Sequence, residues 1–170
     1  APAALSFEEA AALPVAGLTA WLALAVRAGV RPGMKVLVHA AAGGVGHMGI
    51  QIAKALGAEV AATASTPEKL AIAERLGARW SIDYRKESVE QYVERITGGK
   101  GFDVVFDTVG GANLDASFEA AKVGGCVVGI AARSTHDLSP MHSKGLSLHV
   151  VFILLPILSG EGRAELGLAM

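Results

Sequence analysis

The segment 35–57, KVLVHAAAGGVGHMGIQIAKALG, limits the possible folds of this chain more than any other. An apolar run at 35–39 (KVLVH) reads as a strand. It turns through a glycine-rich stretch and continues as a helix to Leu56, stopped by Gly57. A strand that feeds a helix in this way does not fold back as a hairpin. The chain crosses over and returns parallel to where it began.

The same rhythm repeats along the sequence. Strands are predicted at 59–63 (EVAAT), 80–84, 102–107 (FDVVFD), 125–130 (GCVVGI) and 146–153 (LSLHVVFI). Helices are predicted at 66–76, 89–97 and 113–121, and 133–145 reads as a polar loop. Thr66 suits an N-cap, Pro67 the first helical position, and Gly77 and Gly98 the stops. Ahead of the first strand, 6–9 (SFEE) fits a capping box. Pro14 either ends that short helix or starts the next one. A second helix spans about 15–28, with Gly29 as its stop.

Six strands alternating with helices imply right-handed crossovers and a sheet covered on both faces. Hydrophobic residues make up 52% of the chain and aromatics only 5%, so Ala and Val must fill closely packed helix–sheet layers. The fold expected is α/β, a doubly wound six-stranded parallel sheet of order 3-2-1-4-5-6, or Rossmann fold. The 170 residues suffice for one such domain. It divides into N-terminal helices at 6–28, a sheet core at 34–155 and the start of a C-terminal helix at 156–170.

With 15 basic and 16 acidic residues, no charge excess points to nucleic acid. The uncharged stretch 10–26 contains Pro14, Gly17 and Thr19 and follows Glu8 and Glu9 rather than basic residues. This argues against a signal peptide or a membrane span. The single cysteine, Cys126, excludes an internal disulfide and a multi-cysteine zinc site. It fits a reducing, cytoplasmic setting.

The turn at 41–46 carries the binding chemistry. A dinucleotide turn reads G-x-G-x-x-G, and here the three positions are Ala41, Gly43 and Gly46. Gly43 lets the backbone approach a pyrophosphate, and the amides of Gly44 and Val45 point at it from the helix N-terminus. Gly46 lets the helix pack closely on the strand. Alanine at 41 costs little if its φ is negative. The alternative is a glycine-rich connection with no ligand. An acid that would hold an NAD ribose is missing from 62–65 (ATAS). Lys69, at the third position of the next helix, is a cation at a positive helix end unless an anion joins it. With the Ser65 and Thr66 hydroxyls beside it, this points to the 2′-phosphate of NADPH. A solvated surface lysine is the alternative.

Several residues are set aside. His39 reads as a structural histidine under the turn, His47 as a surface residue, Cys126 as an inert buried thiol and Asp103 as solvated. Ser134, His136 and Asp137 have the residue types of a hydrolytic triad. They crowd into one loop with no nucleophile-elbow glycines around Ser134.

The segments LPVAGLTAWLAL (13–24), VLVHAAAGGVGHMGIQIAKALGAEV (36–60), STPEK (65–69), LGARWSIDYR (76–85) and GGKGFDVVFDTVGG (98–111) together resemble the zinc-independent quinone oxidoreductase family. That family belongs to the medium-chain dehydrogenase/reductase superfamily. The resemblance implies that Lys69 and Tyr84, with Ser65, hold the NADPH 2′-phosphate. It places Thr19 near the nicotinamide, Thr108, Val109 and Gly110 at the adjoining ribose, and Ile130 and Ala131 at the nicotinamide amide. In zinc-dependent cousins a cysteine ligand occupies the position matching Val15, so no metal is expected. The substrate implied is a small quinone or α,β-unsaturated carbonyl. A homodimer is implied through the edge 146–153.

Full-length members also carry a separate catalytic domain, which is absent from these residues. The chain is therefore expected to bind NADPH with little turnover, and no proton donor or other catalytic residue is identified in it. Alternatives are a non-catalytic NADPH-binding sensor or interaction module, or a relative of zinc-type alcohol dehydrogenases or enoyl reductases.

Overall fold

A computed structural model describes residues 6–161 of the chain. Six strands form one parallel sheet: β1 (Lys35–Val38), β2 (Glu59–Ala64), β3 (Trp80–Asp83), β4 (Phe102–Asp107), β5 (Ala121–Gly129) and β6 (Ser147–Val150). Their order is β3-β2-β1-β4-β5-β6, as expected. Every neighbouring pair is parallel.

Alternation along the strands sorts the core into two layers. Val36 and Val38 of β1, Val60 and Ala62 of β2, and Phe106 of β4 face one cluster. Helices α1 (Phe7–Trp21), α2 (Gly46–Ala55) and α3 (Pro67–Leu76) lie on that side, and Ala20, Ile50, Ala53 and Ala73 join the cluster. Leu37, Ala61, Val105 and Val127 face the other cluster. That side is closed by Tyr92 and Ile96 of α4 (Val89–Thr97) and by Leu114 and Phe118 of α5 (Asn113–Ala120). The helix limits follow local chemistry. The Thr66 hydroxyl accepts from the Lys69 amide at the start of α3, and Gly77 ends that helix in the left-handed region. Ser88 and Gln91 form a capping box for α4.

Three expectations need correction. Helix α1 runs straight through Pro14 and continues as a π-helix, Leu22–Arg27, before Gly29 stops it. Pro14 is exposed, and the Ala10 carbonyl loses its helical partner there. As a result Ala10–Arg27 is long and apolar enough to cross a membrane by length and composition, with mean hydropathy 1.6. In this fold Ala20, Ala23 and Leu24 bury one side of that stretch in the core, while Val15, Trp21 and Val26 stay exposed. The Glu9 side chain of the expected capping box lies outside the described residues.

Second, the loop 133–145 contains a helix, α6 (Ser139–Lys144). The Asp137 carboxylate accepts from the Ser139 amide and hydroxyl, and Gly145 ends the helix in the left-handed region. Third, the last strand is four residues long rather than eight, because its partner β5 ends at Gly129. Beyond it a short α7 (Leu155–Ser159) begins. The remainder of the expected helix, 162–170, lies outside the described residues.

Asp103 is not simply solvated either. It accepts from the Lys35 amide at 2.7 Å and from the Lys122 ammonium at 2.5 Å. Lys144 makes a comparable anchor. Its ammonium donates to the carbonyls of Phe118 (3.1 Å), Glu119 (2.6 Å) and Ala121 (2.9 Å). A cation there satisfies the carbonyl end of α5 and ties α6 to it. Lys144→Met leaves those carbonyls unmet. It is expected to lower the unfolding free energy by about 1–3 kcal/mol, read as a shifted urea midpoint at unchanged slope.

Candidate functional site

The carboxyl ends of the parallel strands carry the turns singled out in the sequence. After β1 the chain passes through Ala40, the only non-glycine residue with positive φ (53°) among the described residues. Holding alanine in this region costs roughly 1 kcal/mol. Ala41, which stands where a glycine is usual, has negative φ and is fully buried. Its amide donates to the Thr63 carbonyl at 2.9 Å. Alanine at 41 therefore meets the condition set by the sequence.

Gly46 packs against this corner. A Cβ on it would lie 2.2 Å from the Ala40 carbonyl oxygen, so no other residue fits without opening the turn. Helix α2 thus starts directly on the end of β1. The amides of Gly44 and Val45 have no carbonyl partner among the described residues, and no side chain caps the helix start. These free N–H groups and the helix dipole make a seat for an anion.

Beside the turn lies a cavity of about 220 Å³, lined by Ala40, Ala42, Gly43, Ala64, Ser65, Lys69 and Tyr84. It gathers side chains from the ends of β1, β2 and β3 and the first turn of α3. The end of β2 offers no carboxylate to it. The Lys69 ammonium has no hydrogen bond or ion pair with the described residues, while its amide is held by Thr66 at 3.3 Å. Tyr84 is 57% exposed at the rim.

A second group forms where β4 and β5 end. The Thr108 hydroxyl donates to the His39 carbonyl at 2.8 Å, joining the ends of β4 and β1. Gly110 has φ of 74°, and a Cβ on it would lie 2.1 Å from the Ala131 carbonyl oxygen. The Ile130 amide donates to the Asp107 carbonyl at 3.2 Å. Thr108, Val109, Gly110, Ile130 and Ala131 are therefore brought together at this edge. Thr19 is not among the residues lining the cavity. It is buried, and its hydroxyl donates to the Val15 carbonyl of its own helix at 2.6 Å.

Sequence reasoning missed Asp107 as the organiser of this edge. Its buried carboxylate accepts from the amides of Val109 and Gly110 (both 2.8 Å), Asn113 Nδ2 (3.0 Å) and the Ser117 hydroxyl (2.8 Å). Burial alone would raise its pKa. The hydrogen bonds from Gly110, Ser117 and Val109, with nearby His39, outweigh burial and hold it below the usual range. Asn113 and Ser117, four apart at the start of a helix and just past an Asp-led turn, were the available signal. His39 is structural, as expected. Its Nδ1 pairs with the Thr63 hydroxyl at 3.1 Å, and its Nε2 is buried with no hydrogen-bond partner among the described residues. The Cys126 thiol is pushed up to about 11 by burial, in keeping with an unreactive residue.

The parallel order, the glycine turn at the sheet's switch point and the free start of α2 define a Rossmann-type domain. The zinc-binding dehydrogenase family pattern matches residues 44–159, and the chain belongs to that family. Its likeness within the family runs to quinone oxidoreductases. Quinone oxidoreductase 1 of Escherichia coli (strain K12) is 42% identical over 127 residues, which are 75% of this chain and 39% of that protein. Among solved structures, an alcohol dehydrogenase superfamily protein from Novosphingobium aromaticivorans superposes with a TM-score of 0.93 at 44% identity. That match covers 99% of this chain and 50% of that one. Escherichia coli quinone oxidoreductase complexed with NADPH gives a TM-score of 0.86 at 36% identity, covering 99% and 52%. The chain thus spans about two fifths of that curated relative and half of each solved chain.

The buried imidazole makes stability depend on pH. Burial drives the His39 pKa down to about 4, with the Asp107 charge opposing only in part. Unfolded histidine takes up its proton near pH 6.5. The unfolded chain therefore binds more protons between the two values. This contribution is complete above about pH 6.5 and is lost as pH falls toward 4, by up to about 3 kcal/mol. Urea unfolding followed across that window should show the decline, and His39→Gln should flatten it.

Proposed function

We propose that this chain is the NADPH-binding part of a zinc-independent oxidoreductase that passes hydride to a quinone or an α,β-unsaturated carbonyl. The observation that carries the reading is the cavity at the end of β2. It combines an unpaired Lys69 ammonium, Ser65, Tyr84 and the glycine turn, with no acid to hold an NAD ribose. The likeness to quinone oxidoreductases, one of them solved with NADPH, supports it.

In this assignment Lys69, Tyr84 and Ser65 hold the 2′-phosphate. Charge-assisted bonds from the ammonium and hydroxyls are the strong contacts. The amides of Gly44 and Val45 receive the pyrophosphate, Gly43 and Ala41 leave room for it, and Gly46 keeps α2 close. Thr108, Val109 and Gly110 flank the ribose next to the nicotinamide, and Ile130 and Ala131 orient the nicotinamide amide. Thr19 supports that end through its helix rather than by a free hydroxyl. When bound, the nicotinamide supplies a hydride to the electrophilic carbon of the acceptor. The protein's part is to orient and to exclude water.

Zinc independence rests on Val15, which cannot ligate a metal where a cysteine ligand would stand. The setting is cytoplasmic and the partner a small molecule rather than nucleic acid or membrane. The second copy of a homodimer pairs along β6, whose outer edge carries unpaired backbone groups.

Fluorescence titration tests the cofactor. NADPH is expected to bind at least tenfold more tightly than NADH. Lys69→Ala should weaken NADPH roughly tenfold to a hundredfold and leave NADH unchanged. Equal affinities for the two would remove the 2′-phosphate assignment. For the dimer, light scattering should report twice the 17.4 kDa chain mass. A monomer at micromolar concentration counts against pairing through β6.

A further inference from the structure

One side-chain cluster lies apart from the cavity beside the glycine turn, in the loop between β5 and α6. The Ser134 hydroxyl and His136 Nε2 are 2.5 Å apart. On the far side of the ring, His136 Nδ1 lies 2.8 Å from an Asp115 carboxylate oxygen. Asp137, the acid nearest in sequence, is committed to the Ser139 amide and hydroxyl and takes no part. The acid comes instead from the first turn of α5, where the helix dipole favours a negative charge.

The three groups are ordered as a nucleophile, a base and the group that orients the base. The His136 side chain is only 8% exposed, and its ring stands edge-on to Phe118, with centroids 6.2 Å apart and planes at 85°. Phe118 is itself fully buried. The imidazole is thus clamped between a carboxylate, an aromatic ring and a hydroxyl, while Ser134 faces solvent. The amides of Ser134 and Thr135 make no hydrogen bond with the described residues. The amide of the residue after a nucleophile is a donor that hydrolases aim at the developing oxyanion.

We propose that Ser134, His136 and Asp115 form a nucleophilic relay that hydrolyses carboxylic esters. Ser134 is exposed, so an ester carbonyl reaches its hydroxyl from solvent. As the Ser134 Oγ pair attacks the ester carbon, His136 Nε2 takes the hydroxyl proton. The carbonyl electron pair moves onto oxygen beside the Thr135 amide. That pair returns as the bond to the leaving oxygen breaks, and Nε2 gives its proton to the departing alcohol. Water then attacks the acyl-serine and passes a proton to Nε2. The acyl–Oγ bond breaks, Oγ regains the proton, and carboxylic acid leaves. Asp115 acts as the positioning residue. It holds the Nδ1 proton and steadies the imidazolium.

The test uses the 170-residue chain and p-nitrophenyl acetate, with release of p-nitrophenol as the readout. Ser134→Ala and His136→Gln should each slow hydrolysis roughly a hundredfold. Asp115→Asn should slow it less and lower the rate constant rather than raise KM, and Asp115→Glu should recover part of the loss. Circular dichroism identifies any variant that fails to fold. A fluorophosphonate probe on the unmutated chain gives an answer independent of folding, because peptide mass spectrometry should find the label on Ser134. Wild-type turnover by folded Ser134→Ala, or a label found only elsewhere, overturns the relay.

Discussion

Asp107 ends β4 with its carboxylate wholly buried, and four donors from the following turn and α5 converge on it. Taking a charge out of water is costly, and only a full set of hydrogen bonds compensates for it. Here the donors come from Val109, Gly110, Asn113 and Ser117, so one carboxylate dictates both the turn at 108–110 and the start of α5. His39 lies close enough for its charge state to be coupled to Asp107, and Thr108 bonds the His39 carbonyl. The ends of β1, β4 and β5 are therefore set by one polar centre beneath an otherwise apolar sheet.

Around that centre the carboxyl edge is built to receive negative charge. The start of α2 presents free amides, the end of β2 lacks an acid, and Lys69 sits in the first turn of α3 with no ion pair among the described residues. Each feature is unfavourable or neutral in the bare protein and becomes favourable when an anion arrives. Ala40 adds a small strain at the same corner, where a Cβ on Gly46 would collide with its carbonyl. A strained residue, free helix-start amides and an unpaired lysine thus lie together on one edge among the described residues, above a well-packed core.

The rest of the molecule is closed by polar anchors rather than left to loops. Lys144 caps the end of α5, and Asp103 joins Lys35 to Lys122 at the opposite end of the sheet from the turns. The loop after β5 is held by His136, which Asp115 and Phe118 fix in place. That loop leaves Ser134 exposed, with its hydroxyl beside the His136 ring.

The alternation of strand and helix, the order of the sheet, the α3 cap, the glycine stops of α3 and α4 and the turn at 41–46 were all legible from residue order. They depend on local periodicity, glycine stops and capping chemistry, which act within a few residues. Tyr84 beside Lys69 was an implication of the family resemblance rather than of periodicity, and the fold brings Gly43, Ser65, Lys69 and Tyr84 to one cavity. What tertiary structure alone decided depends on partners distant in sequence. Helix α1 passes Pro14, which stands on its exposed side. The last strand stops at Val150 because β5 runs out beside it. Asp103 is paired rather than solvated because Lys35 and Lys122 come from other strands, and Asp115 replaces Asp137 beside His136 because α5 packs against the loop. Sequence order could name the residue types in each of these cases. Only the fold could decide which of them meet, since burial and hydrogen-bond partnership are properties of neighbours in space.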